Sequence, residues 1–123
     1  MQGWTSPDSD CWRCCLASLT GRHPTELLEA EPFDLEEQNR HLARWGRVLV
    51  PVWAHGTWAE SYPAGRWIAL LGRGRELHAV LAERNQVILN PAFRDGRPAH
   101  LWPDDFAYVG NHSWPLGFVL EEV

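Results

Sequence analysis

No apolar run in the chain approaches the roughly 20 residues needed to span a bilayer as a helix, and the N-terminal residues carry neither a basic flank nor an apolar signal core. These two absences predict a cytoplasmic protein with no membrane partner. An excess of positive charge is missing as well. The net charge is -5, and most of the basic residues (Arg40, Arg44, Arg47, Arg66, Arg73, Arg75, Arg94, Arg97 among them) are scattered among acids, so nucleic acid is not an expected partner. Cysteines spaced to staple a small fold are lacking too: all three fall within Cys11 to Cys15, where a bridge would close only a short loop and leave one thiol over. The cysteines therefore call for a chemical reading or a packing reading. No internal repeat and no low-complexity segment is present.

What is there suits a single domain over residues 1–123 that folds alone as a monomer, because 45% of its 123 residues are hydrophobic. Eight tryptophans are unusual at this length. Trp12, Trp45, Trp53, Trp67, Trp102 and Trp114 fall in or beside apolar segments and read as core and rim. Trp58 and His55 lie in a polar loop, where they could line a groove.

Helical signals come first. Ser9 and Asp10 are N-cap residues before a helix from about Ser9 to Thr20, which Gly21 stops. Trp12, Cys15, Leu16 and Leu19 share an apolar face at helical spacing, which predicts that this helix is buried. His23-Pro24-Thr25-Glu26 reads as a turn opening a short helix through Leu27 and Leu28 that ends at Pro32. Asp34 and Glu37 form a capping-box pattern ahead of Leu35, Leu42 and Trp45, with Gly46 as the stop.

Strand patterns follow. Val48 to Trp53 is β-rich, but Pro51 cannot donate to a ladder and marks an edge or a bulge. Trp67–Leu71 and Leu77–Leu81 flank Gly72-Arg73-Gly74-Arg75 as a hairpin, Arg84-Asn85 is a second turn, and Gln86–Leu89 is a third strand. Asp95 to Pro98 is loop, Pro103 to Phe106 is a helical turn and Phe118–Leu120 is a closing strand. Helices followed by an antiparallel sheet give an α+β class.

Cys11 stands in the first turn of the first helix, where a thiolate feels the positive end of the helix dipole. A cysteine nucleophile needs a base within hydrogen-bond reach and a third group that orients the base. His78 starts one strand of the second hairpin and Asn90 ends the next, so pairing predicts that they lie side by side. The expected order is Cys11 as nucleophile, His78 as base and acid, and Asn90 as orienter. Cys15, one turn on, reads as a buried small hydrophobe. His23, His41, His55, His100 and His112 lack such company and read as capping or solvated residues.

At these positions the sequence resembles the papain-like cysteine peptidases, and most closely small bacterial and phage proteins similar to the bacteriocin-processing peptidases. The matching stretches are Asp10-Cys11-Trp12-Arg13-Cys14-Cys15-Leu16-Ala17-Ser18-Leu19-Thr20-Gly21 and Leu77-His78-Ala79-Val80 through Val87-Ile88-Leu89-Asn90-Pro91. The resemblance implies a papain-like fold, a thiol hydrolase acting on a peptide or protein substrate, and no metal or organic cofactor. It also implies a glutamine upstream of the nucleophile as oxyanion donor, for which Gln2 is the only candidate. Asn90 stands where the bacteriocin-processing group commonly has Asp, and Cys14 where a small inert residue is expected.

Three rival readings start from the same residues. Cys11-Trp12-Arg13-Cys14 is a Cys-x-x-Cys, which in a βαβ unit serves thiol-disulfide exchange, but no convincing strand precedes it. Without that context, a Cys11–Cys14 disulfide would instead silence the nucleophile under oxidation. A closed zinc site needs four ligands, and no second Cys or His pair supplies them. A catalytically inactive binding module that keeps the peptidase fold is the third.

Overall fold

The computed structural model describes residues 11–29, 33–73, 76–89 and 99–123. Its helices are α1 (Cys11–Thr20), α2 (Leu35–Leu42), and two single turns, α3 (Trp58–Ser61) and α4 (Ala107–Gly110). The strands are β1 (Arg47–Val52), β2 (Arg66–Arg73), β3 (Glu76–Glu83), β4 (Gln86–Leu89), β5 (Ala99–His100) and β6 (Gly117–Glu122). They form one six-stranded sheet in the order β1-β6-β2-β3-β4-β5, with every pairing antiparallel. The α+β class therefore holds, with α1 and α2 preceding the sheet in the chain.

The helix boundaries follow local chemistry. Gly21 and Gly46 take left-handed backbone (φ 72° and 68°), which only glycine adopts without cost, and each ends its helical stretch. The Asp34 carboxylate accepts from the amides of Glu36 and Glu37 and so starts α2. The segment after His23 is shorter than expected: Pro24–Glu26 is one 3-10 turn, and Leu27 is already extended. Ser9, Asp10 and Pro32 lie outside the described residues.

Alternation along the strands sorts the interior into two apolar clusters, one on each face of the sheet. Ile68, Leu70, Ala79, Leu81, Leu49 and Phe118 face α1, where they meet Trp12, Cys15, Leu16 and Ala17. Trp67, Ala69, Val80, Ala82 and Val87 face the other way and pack with Leu101, Phe106 and Leu116. Each face is therefore buried over the central residues of β2 and β3, Trp67 to Leu70 and Ala79 to Ala82. The second cluster is closed by stacked rings: Phe106 lies parallel to Trp58 at 5.6 Å and to Trp67 at 6.1 Å.

Several sequence expectations are corrected here. The segment that holds His55 and Trp58 is not simply loop, because Thr57 caps the single turn α3, and Trp58 is a wall of the second cluster through its stack on Phe106. Of the tryptophans read as core and rim, Trp12 and Trp67 are core, whereas Trp53 and Trp102 are exposed, at 47% and 66%. The short strand β5 and the turn α4 carry too few residues to show a period. The closing strand, β6, inserts between β1 and β2.

The outer edge of β1 is covered by a side chain. Asn39 of α2 accepts from the Leu49 amide at 2.7 Å and donates to the Leu49 carbonyl at 3.1 Å, taking the place of a neighbouring strand. Pro51, two residues on, has no amide to offer. The proline signal for an edge strand is thus met, and the edge is blocked at both positions.

Candidate functional site

The site is built where the start of α1 meets the start of β3. Trp12 fixes the first turn of α1, since its ring packs edge-on against Phe33 at 5.2 Å and Phe118 at 5.6 Å. One residue on, Arg13 donates from Nε to the Pro24 carbonyl at 3.1 Å and pairs with Glu29 at 3.7 Å, tying the same turn to the segment after the helix. Cys11 is held by these two neighbours and is itself 8% exposed.

The Cys11 sulfur accepts a hydrogen bond from the backbone amide of Ala79 at 3.3 Å, across 68 positions of sequence. The side chain of His78 also hydrogen-bonds to the thiol. Burial is the largest single influence on Cys11 and raises its pKa. It is outweighed by the His78 hydrogen bond, the Ala79 amide, the charge of His78 and the Trp12 amide, which together bring the thiol below its ordinary range. Cys15 is the reverse case. It is fully buried, and burial, then the neighbouring Cys11 and Cys14, push its thiol well above the ordinary range. All three cysteines are thiols rather than disulfide halves.

Of the four residues singled out in the sequence, the structure brings Cys11 and His78 together. Asn90 and Gln2 lie outside the described residues. The hairpin that was to carry Asn90 is present: β3 and β4 pair antiparallel around Arg84-Asn85, with Leu89 opposite Leu81 and a register shift between Leu81 and Ala82. Arg84 takes φ 53° in that turn, and the Trp67 indole donates to its carbonyl at 2.8 Å. The turn that sets the register is thereby anchored to the second cluster.

The Ala79 amide was missed because it is a backbone group, to which no residue type points. A hint was available in the position itself, since the residue after a strand-borne base shares its location. Of the other histidines, His23 caps as its setting suggested, while His112 stacks on Tyr108 at 4.6 Å and His41 meets Trp45 edge-on at 5.4 Å. His23 caps the 3-10 turn by accepting from Thr25, and His41 bonds through Nε2 to the Glu26 carbonyl at 2.6 Å. The His55 amide donates to Ser61 Oγ at 2.9 Å, within the α3 segment.

Among the described residues no three His, Cys, Asp or Glu side chains gather as a metal site, and no helix is long and apolar enough to cross a membrane. A buried thiol held between a histidine ring and a backbone amide can form a thiolate and move a proton to and from His78. Comparison of the chain with protein-family models, with curated proteins and with solved structures gives no significant match.

Proposed function

We propose that the protein is a cysteine-dependent hydrolase that cleaves a peptide, isopeptide or related amide bond, with a papain-like arrangement of its reacting groups. The observation that carries this reading is the meeting of Cys11, at the start of α1, with His78 and the Ala79 amide, near the start of β3. A thiol placed there by packing alone would be driven up by burial, whereas this one is brought down by a histidine.

The steps follow from the groups present. His78 takes the Cys11 proton, and the thiolate forms a bond to the substrate carbonyl carbon. The first-turn amide of Cys11, at the positive end of α1, stabilises the oxyanion. His78 then gives its proton to the leaving amine as the C–N bond breaks. Water, deprotonated by His78, opens the resulting thioester, releasing the acid and restoring the thiol. In this reading Asn90 orients the imidazole and Gln2 supplies a second oxyanion donor. A cytoplasmic setting suits a nucleophile that must stay reduced. The wholly antiparallel sheet disfavours the thiol-exchange alternative, which works from a βαβ unit.

The test is the pH dependence of iodoacetamide alkylation, with the modified cysteine assigned by mass spectrometry. In the wild type Cys11 should react selectively, with a midpoint below the ordinary thiol value of about 8.5. In His78→Ala two of the lowering influences are gone while burial remains, so the midpoint should move up. A Cys11 that titrates like an ordinary thiol in both proteins would overturn the proposal.

A further inference from the structure

Leu77 is an exposed apolar side chain in an informative place. Single exposed leucines are common and by themselves mean nothing. This one, at 45% exposure, immediately precedes His78. By strand alternation it lies on the same face of β3 as Ala79 and Leu81, which α1 covers. Ala79 carries the amide that touches Cys11, and Leu77 is only two residues further along, about 7 Å at strand rise. Leu77 therefore lies on the α1 side of the sheet, two residues from the amide that holds the Cys11 sulfur.

A second observation defines the other side of this position. The residue paired with Leu77 is Gly72, and a Cβ on Gly72 would come within 2.9 Å of the Ala107 Cα. The backbone of α4 thus rests directly on β2 next to Leu77, held there by the bridge between Leu71 and Phe106. Leu77 is flanked by the start of α1 and the start of α4, and its cross-strand partner contributes no side chain.

We propose that Leu77 is the specificity-determining contact for an apolar side chain flanking the bond that Cys11 attacks. This inference rests on the hydrolase reading above. It implies that the substrate is chosen by an aliphatic or aromatic residue next to the scissile amide and not by a charged one. Burial of such a group against Leu77 and the α4 backbone follows the usual gain for apolar contact.

The experiment compares two reagents on the same thiol, iodoacetamide and N-hexyl iodoacetamide. The Cys11 rate with each is divided by the rate with free cysteine. Any change in thiolate population cancels in their ratio. The wild type should favour the hexyl reagent by about tenfold, Leu77→Phe should keep the preference, and Leu77→Gln should bring it to within about twofold of unity. A ratio near unity in the wild type, or one that survives Leu77→Gln, overturns the proposal. Failure of the hydrolase reading would appear separately, as an ordinary thiol titration with iodoacetamide alone. The ratio would still be measurable in that event, at alkaline pH where every accessible thiol reacts.

Discussion

Burial alone would make Cys11 a poor nucleophile, since desolvation disfavours its thiolate more than any single neighbour favours it. Reactivity therefore depends on the sum of the His78 ring and the amides of Ala79 and Trp12. Cys15 has the burial without the donors, and the negative charge that forms at Cys11 would oppose its ionisation further. The two thiols, one turn apart on one helix, should differ sharply in chemistry. In native protein, alkylation followed by peptide mapping should find Cys11 modified and Cys15 untouched, even at alkaline pH. Cys15 should become reactive only in denaturant. Label on Cys15 under native conditions would mean that α1 opens far more readily than its packing implies. These contrasts were partly legible in the sequence, which marks Cys15 as apolar-facing and Cys11 as helix-starting. The Ala79 amide was not legible, because its effect depends on where the start of β3 lies relative to α1.

At the scale of elements, strong local signals read correctly, while the order of the strands across the sheet was not legible. The glycine stops at Gly21 and Gly46, the Asp34 cap and the two hairpins follow from a few adjacent residues each. The single turns α3 and α4 and the short strand β5 are below the length at which a period can be seen. The insertion of β6 between β1 and β2 depends on contacts made across most of the chain. Pro51 announced an edge strand, yet the device that completes the protection, Asn39 on Leu49, lies ten residues away on a helix. Asn39→Ala should leave the Leu49 amide and carbonyl without this partner and cost about 1–3 kcal/mol. Urea denaturation would measure that loss. The uncovered edge should also make the variant associate at high concentration, seen as a concentration-dependent elution volume in size-exclusion chromatography. Unchanged stability and a constant elution volume would assign Asn39 no part in protecting the strand.

For the molecule as a whole, the question is whether the two faces of the sheet melt together. Cys11 belongs to the α1 face, while the ring stack of Trp58, Phe106 and Trp67 closes the other. β2 and β3 serve both faces, with Trp67 and Ala69 pointing one way and Ile68 and Leu70 the other. Neither strand can lose one cluster and keep the register of the second. β6 adds to the coupling, since Gly117 approaches β2 so closely that a Cβ there would collide with the Ile68 carbonyl and come within 2.8 Å of the Trp67 ring. A defect on the far face should therefore be felt at Cys15, although no residue of that cluster belongs to α1. Phe106→Ala removes the ring that stacks on Trp58 and Trp67 and should cost about 3–5 kcal/mol. Near-ultraviolet circular dichroism reports the aromatic face, and pulsed alkylation of Cys15 reports the α1 face. Both should give one urea midpoint in the wild type and the same lowered midpoint in the variant. Two separated midpoints would mean that the site could persist on a half-melted sheet. Coincident ones would mean that the Cys11–His78 contact exists only when the aromatic stack is closed, so substitutions on the far face would lower the folded fraction and leave the Cys11 pH profile of that fraction unmoved.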